Sequence, residues 1–160
     1  MVSCLAMQHV GWILMKEASK YFFDTNVIID ALANRDDNNL YARDLLRRVS
    51  VGKIKGYLCS KQICDIYYIL RKYISSENER RRVIATLLNA FEILPLLKSE
   101  LTYSLSLPFD DYEDAVIDEV AKINCVTAIV TSNVKDYQQS KCEVWTPKQC
   151  WDIQNLAEPF

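Results

Sequence analysis

Short apolar runs alternate along the chain with longer segments in which apolar residues recur at helical spacing. The runs typical of strands are residues 21–23, 56–59, 91–97, 126–130 and 144–145. Most of them are continuously apolar, which is the pattern of strands buried on both faces. Helical segments separate successive runs, usually two at a time. This order predicts an α/β domain built on a central, mainly parallel sheet.

Residues with capping chemistry mark where the predicted helices begin. The predicted starts are Thr25, Leu40, the N-cap Ser60, the capping box of Ser76 with Glu79, Leu101, the capping box of Asp110 with Glu113, and Pro147 after the N-cap Thr146. A polar turn is expected over residues 34–39, and Gly52 ends the second helix. Several of these starts follow a predicted strand directly.

The chain shows no repeat, low-complexity tract or linker, so we expect one domain over residues 19–155. Residues 1–18 are expected to be an extension, either disordered or added by an upstream start codon. Residues 156–160 are expected to be a tail. No segment approaches the roughly 18–20 apolar residues that span a bilayer, so no membrane partner is expected.

The amino-acid composition disfavours several classes of functional site. Lys and Arg number 19 and Asp and Glu 21, so contact with nucleic acid would have to come from local patches. The three glycines cannot assemble a GxGxxG or Walker A loop, and the single histidine, His9, disfavours a Ser-His-Asp triad. The six cysteines form no CxxC pair, and Cys64 and Cys125 lie in apolar patterns where buried free thiols are common. We therefore expect a reducing, cytoplasmic setting, with carboxylates as the reactive groups.

Four aspartates lie just beyond predicted strands. Asp24 ends the first strand, and Asp65 lies one turn into the helix after the second. Asp114 is in the first turn of its helix, and Asp136 follows the strand-end residue Asn133. Each alone has an ordinary role as a helix cap or a solvated acid. Because the carboxyl ends of parallel strands meet at one edge of a sheet, we expect the four to converge there.

Carboxylates gathered in one cleft repel one another and raise each other's pKa. A divalent cation relieves this repulsion, and ligation by oxygen alone suits Mg²⁺ or Mn²⁺. Such an ion retains waters and binds phosphate oxygens, and a water of lowered pKa can attack a phosphodiester in line. The spacing leaves open whether one or two ions bind.

At this point the chain resembles a known family. Residues 22–30, 109–116, 129–137 and 144–147 are similar to the acidic segments and closing elements of PIN domains, as in VapC-type toxin ribonucleases. Residues 131–137 follow that family's pattern T-x-N-x-x-D-F except that Tyr137 stands at the last position. The resemblance covers about residues 19–155. It implies a three-layer α/β/α sandwich, a Mg²⁺- or Mn²⁺-dependent ribonuclease acting on RNA, a homodimer and, for the toxin type, a cognate antitoxin.

The resemblance also implies roles for individual residues. It assigns metal ligation to Asp24, Asp114 and Asp136, with supporting positions at Thr25, Asn26, Thr131, Asn133 and Asp118. Thr131 would position Asp24 or a water. Asp118 would either contribute to the cleft or be an acid that lies behind it or on the surface. Asp65, the fourth expected catalytic acid, stands where the family often has Glu and would reach an ion through water because it is shorter.

Two basic groups have alternative interpretations. They are Arg43, Arg47 and Arg48 in one helix, and Arg71 with Lys72 at the end of another. They are either solvated helix faces or a track for the RNA backbone.

Other functions remain to be weighed against the nuclease. A haloacid-dehalogenase-like phosphatase needs a second acid where Asn26 stands, and a receiver domain needs an acidic pair where Phe22 and Phe23 stand, so both are disfavoured. A non-catalytic PIN-like module for dimerisation or for binding protein or RNA remains the alternative.

Overall fold

The strands form one parallel sheet in a computed structural model that describes residues 19–33 and 39–157. They are β1 (Lys20–Phe23), β2 (Lys55–Cys59), β3 (Glu92–Leu94), β4 (Ala128–Val130) and β5 (Val144–Trp145). Their order across the sheet is β3-β2-β1-β4-β5, and every neighbouring pair is parallel. The expected extension, most of the polar turn and the end of the expected tail lie outside the described residues.

Helices cover both faces of this sheet. They are α1 (Thr25–Ala33), α2 (Asn39–Ser50), α3 (Ser60–Leu70), α4 (Glu77–Ala90), α5 (Lys98–Ser104), α6 (Tyr112–Ile123) and α7 (Pro147–Ala157). In β1, Tyr21 and Phe23 pack into a core with α1 to α4 and α7, whereas Phe22 packs into a second core with α6. All three side chains are almost completely buried. The predicted three-layer α/β/α sandwich with strands buried on both faces is thus confirmed.

The start of α3 differs from the prediction. The N-cap is Cys59, and Ser60 is already the first helical residue. The reason is Gln62, whose side-chain oxygen accepts the Cys59 backbone N–H at 2.7 Å. The amide nitrogen of Gln62 donates to the Phe23 carbonyl at 3.0 Å and to Thr25 Oγ1 at 3.2 Å. This fully buried side chain therefore ties the end of β2 to the end of β1.

The starts of α5 and α6 and the end of β3 were also predicted wrongly. The α6 N-cap is Asp111 and not Asp110, because the Asp111 carboxylate accepts the Glu113 N–H at 2.6 Å. Helix α5 begins at Lys98, ahead of Leu101, and β3 ends before Pro95. These shifts stay within a few residues and leave the order of elements unchanged.

Two expectations for the whole chain can be compared with the described part. The structure places Cys59, Cys64, Cys125, Cys142 and Cys150 in no disulfide, but Cys64 and Cys125 are exposed, so the expectation of burial was wrong for them. In residues 19–33 and 39–157 no helix combines the length and the apolar character needed to cross a membrane.

The packing beneath β2 predicts that Gly56→Ala destabilises the domain. An added Cβ would lie 2.7 Å from Phe91 Cε1 and 2.8 Å from Val49 Cγ1, closer than packed carbon atoms tolerate. We expect a loss of about 1–3 kcal/mol in the free energy of unfolding, measured in urea. Gly52→Asn is the control, because its φ of 73° suits Asn and its surroundings are open. Equal effects of the two substitutions would contradict this packing.

Candidate metal-binding and active site

The site lies where β1 and β4 end side by side. Phe23 pairs with Val130 in the sheet, and the Asp24 backbone N–H donates to the Val130 carbonyl at 2.9 Å. The next residues of the two strands, Asp24 and Thr131, are therefore neighbours although they are far apart in sequence. This is the sheet edge at which the sequence analysis predicted the reactive carboxylates.

Hydrogen bonds fix the Asp24 carboxylate. Its Oδ2 accepts from Thr131 Oγ1 and from Asn26 Nδ2, each at 2.8 Å. The fully buried Thr131 hydroxyl in turn accepts the Asn133 backbone N–H at 3.0 Å. Asn26 also accepts the Ser132 N–H at 3.1 Å. The predicted supporting role of Thr131 and Asn26 thus corresponds to contacts in the structure.

Burial raises the pKa of Asp24 above its ordinary range, although the hydrogen bond from Thr131 acts in the opposite direction. Glu113 contributes to the same rise through its negative charge. Asp24 is thus a carboxyl group that nearby cations would stabilise in its ionised form.

Asp114 and Asp136 join Asp24 at this edge. Asp114 lies half-buried in the first turn of α6, and Asp136 is exposed in a short 3₁₀ helix, Val134–Tyr137. Burial, followed by the charges of Asp24, Asp111 and Asp136, raises the pKa of Asp114 to about 6. Asn133 Nδ2 donates to the Asp136 carboxylate. The structure therefore brings the three expected metal ligands into one electrostatic cluster.

A cleft of about 270 Å³ opens beside this cluster. It is lined by Pro108, Phe109, Asp110, Asp111, Asp114, Lys135, Asp136, Gln138 and Gln139. Among the described residues, no group of three His, Cys, Asp or Glu side chains is arranged closely enough to hold a metal ion by itself. The all-oxygen acids fit a Mg²⁺-like ion that takes the rest of its coordination from water or phosphate.

Asp65 is held by a lysine, Lys61, that sequence reasoning missed. Lys61 Nζ contacts Asp65 Oδ2 at 2.6 Å and Glu113 Oε1 at 2.8 Å, linking α3 to the start of α6. Partial burial works to lower the pKa of Lys61, but these two carboxylates raise it overall. The spacing of Lys61 and Asp65 was a readable signal, whereas the contact with Glu113 depends on the tertiary fold.

Asp118 lies one turn beyond Asp114 but is buried. Its carboxylate accepts from Ser140 Oγ, and burial raises its pKa. Asp118 is therefore not a surface acid, and Ser140 holds its side chain. The Thr25 hydroxyl accepts a hydrogen bond from the Gln62 side chain, which ties the first residue of α1 to α3.

The basic residues separate into different environments. Arg47 and Arg48 both bind Asp44, and Arg48 is only 7% exposed and donates to Asn155 as well. The buried Arg48 is therefore engaged within the fold and offers RNA no free surface.

The remaining members of the two basic groups are exposed. Arg43 is exposed on α2. Arg71 and Lys72 are exposed just after α3, roughly 16 Å along the helix from its first residue. A direct contact of these residues with RNA stays a prediction.

The electrostatic cluster predicts that Asp114→Asn stabilises the metal-free protein. The pKa of Asp114 is about 6 in the folded state, against 3.8 ordinarily. The unfolded chain therefore loses this proton first, and the free energy of unfolding falls as the pH rises from about 4 to about 6. In EDTA at pH 7.5, we expect the free energy of unfolding of the variant to exceed that of the wild type by about 1 kcal/mol or more. The decline of this free energy between about pH 4 and about pH 6 should be weaker in the variant.

Thermal and urea unfolding at several pH values would measure this effect. Asp110→Asn, which removes an exposed carboxylate from the same cleft, is the matched control. A less stable Asp114→Asn protein, or an unchanged pH profile, would contradict the repulsion inferred from the cluster.

Comparison with solved structures finds the same fold in several proteins. VapBC2 from Rickettsia felis, bound to a promoter DNA fragment, superposes with a TM-score of 0.61 at 15% identity over 79% of this chain and 98% of that one. A toxin–antitoxin complex from Klebsiella pneumoniae gives 0.60 at 22% identity over 79% and 97%. Mycobacterium tuberculosis VapC20, described as a sarcin–ricin loop cleaving toxin, gives 0.52 at 13% identity over 68% and 86%.

Sequence comparison gives the family. No curated protein matches the chain. The sequence model of the PIN domain, however, matches residues 20–135, which include β1, β4 and the aspartates Asp24 and Asp114. This match spans more than half of the chain and ends one residue before Asp136. The chain belongs to the PIN domain family.

Proposed function

We propose that this protein is a Mg²⁺- or Mn²⁺-dependent endoribonuclease that hydrolyses RNA phosphodiester bonds, as the toxin of a type II toxin–antitoxin pair. The observation that carries the proposal is the cluster of Asp24, Asp114 and Asp136, whose mutual repulsion helps to raise the pKa of Asp114. Repulsion of this kind is what a divalent cation relieves. The cleaving activity named for the tuberculosis relative is consistent with the proposal.

Each residue of the cluster has a role in the proposal. Asp24, Asp114 and Asp136 would hold the cation together with water or phosphate oxygens, and Thr131 keeps the Asp24 carboxylate in one orientation. A bound divalent cation would supply Lewis acidity and a water acidic enough to attack phosphorus. Asn133 restrains Asp136 by its hydrogen bond. The cleft beside Asp114 would admit the RNA backbone.

Lys61 gives the site a positive charge of its own. It binds Asp65 and Glu113, so part of the negative charge at this edge is neutralised without a metal ion. In the proposal Asp65 acts as a fourth acid that contacts the cation through water. Lys61 would limit how far Asp65 can move toward that cation.

We propose an antitoxin as the protein partner. One of the structural relatives described above, from Klebsiella pneumoniae, is a toxin–antitoxin complex. The acidic cleft suits an arginine from such a partner, since guanidinium groups pair well with carboxylates. A second, apolar groove of about 310 Å³ suits an amphipathic segment. It is lined by Leu32, Leu46, Arg47, Ser50, Val83, Thr86, Leu87, Ala90 and Phe91.

We also propose a cytoplasmic setting, from the cysteine usage, and a homodimer, which the resemblance implies. Helix α5 and its neighbourhood expose several large apolar side chains, which a second copy would cover. These are Leu97, Leu101, Tyr103, Leu105 and Tyr112.

The proposal predicts metal-dependent RNA cleavage that is lost in Asp114→Asn. The purified protein would be incubated with a structured RNA in Mg²⁺, in Mn²⁺ and in EDTA. We expect cleavage with either ion, none in EDTA and a loss of about 100-fold or more in the variant, because the cation supplies several kcal/mol of transition-state stabilisation. Asp152→Asn, which removes an exposed acid from α7, should keep full activity.

The outcomes separate the candidate functions. Cleavage that survives both EDTA and Asp114→Asn would reject the carboxylate mechanism. A folded protein, freed of any antitoxin, that cleaves no RNA under any condition would favour the non-catalytic binding module instead.

The role proposed for Asp65 has its own signature. We expect Asp65→Asn to lose about 10-fold in cleavage at limiting Mn²⁺ and to recover at high Mn²⁺, because a ligand acting through water contributes to affinity for the ion. Cleavage rates over a Mn²⁺ titration would measure this, with Cys64→Ser as the control at the neighbouring exposed position. An unchanged titration curve would show that Asp65 does not contribute to binding of the ion.

A further inference from the structure

Lys61 binds two carboxylates at once. Its Nζ lies 2.6 Å from Asp65 Oδ2 and 2.8 Å from Glu113 Oε1, which are distances of charge-assisted hydrogen bonds. A single exposed ion pair contributes little, because both side chains remain free to move in water. An ammonium held by carboxylates from two different helices is, in contrast, restrained from two sides.

This bridge crosses from one helical layer to the other. Helix α3 packs through Ile66 into the core on one face of the sheet, and α6 packs through Ile117 into the core on the other face. Lys61 and Glu113 are each the second residue of their helix. Since α3 begins where β2 ends, the Lys61 ammonium lies at the carboxyl edge of the sheet, between the two layers.

Both ends of the bridge adjoin the proposed metal ligands. Gln62, the residue after Lys61, donates hydrogen bonds to the residues on either side of Asp24. At the other end of the bridge, Glu113 directly precedes Asp114 in the first turn of α6. The positive charge of Lys61 therefore belongs to the same edge of the sheet as the acids that the proposal assigns to the divalent cation.

Lys61 leaves few carboxylates for a second divalent ion. The first ion would take the three proposed ligands, whereas Asp65 and Glu113 already share the ammonium. Asp111 is engaged as the N-cap of α6. In sites that hold two ions, the ions lie about 3.5–4 Å apart. A second ion would therefore have to displace the ammonium or approach it against charge repulsion.

We propose that the Lys61 ammonium takes the place of a second cation, so that the site binds one divalent ion per chain. The inference rests on the proposed function, because it requires the aspartate cluster to bind an ion. Lys61 is a positioning residue in this arrangement. It holds Asp65 and Glu113 by its two ion pairs and thereby keeps them from forming a second ion site.

Isothermal titration calorimetry with Mn²⁺, without RNA and at low salt, tests the inference. We expect one ion per chain in the wild type. Lys61→Met removes the charge, keeps an aliphatic side chain of similar length and frees both carboxylates. We expect this variant to bind a second, weaker ion and to bind the first about 3-fold to 10-fold more tightly, because a nearby positive charge is gone. Loss of a purely structural ion pair would not tighten binding of the first ion.

Two further variants localise the effect. Lys61→Met combined with Glu113→Gln removes one of the freed carboxylates and should return the protein to one ion per chain. Lys148→Met is the matched control, because it breaks an exposed Lys–Asp pair with the same spacing and the same 2.6 Å distance in α7. It should bind Mn²⁺ as the wild type does. Thermal unfolding in EDTA would verify that each variant is folded.

The failures are distinguishable. A wild-type protein without saturable Mn²⁺ binding would overturn the proposed function and this inference with it. Two ions per chain in the wild type would overturn the inference alone, and that result needs no variant. A folded Lys61→Met protein that binds one ion with unchanged affinity would also overturn the inference and leave the proposed function standing.

Discussion

The parallel pairing of β1 with β4 is the constraint on which the rest of the molecule depends. It places Phe23 beside Val130 in the centre of the sheet, and the next residue of each strand, Asp24 and Thr131, then meets at the edge. The strands are buried by helices on both faces, so neither can slip in register without exposing aromatic or branched side chains. The geometry of the acids is therefore set by the packing of the core.

The packed core holds together carboxylates that repel one another. Asp24 and Asp114 both have raised pKa values, and burial is the first cause for each. The protein compensates in part with its own cation, Lys61, and with hydrogen bonds from Thr131 and Asn26. Sites built for binding or catalysis commonly lower the stability of the fold that carries them, and this arrangement fits that pattern.

Much of this architecture was predictable because its signals are local. Apolar runs and helical spacing identified the strands and helices, and the rule for parallel sheets brought Asp24 and Asp114 together. The cap of α3 was missed because a side chain three residues into the helix, Gln62, binds two other elements. Arg48 was assigned to a surface although it is buried, with contacts to Asp44 in its own helix and to Asn155 in α7.

The features that were missed share one physical cause. Lys61 reaches Glu113 across two helices, and Arg48 of α2 reaches Asn155 of α7. Neither arrangement has a periodicity or a fixed spacing in the sequence. Both exist only once the sheet and both helical layers have assembled.

The central pair of strands also has a consequence for the order of events during synthesis. Asp24 and Thr131 are separated by 107 positions, so the edge with its acids stays incomplete until β4 has left the ribosome. At usual elongation rates of about 5–20 residues per second, this interval lasts roughly 5–20 s. For a chain proposed to cleave RNA, long-range topology thus means that the proposed site assembles only after most of the chain has been synthesised.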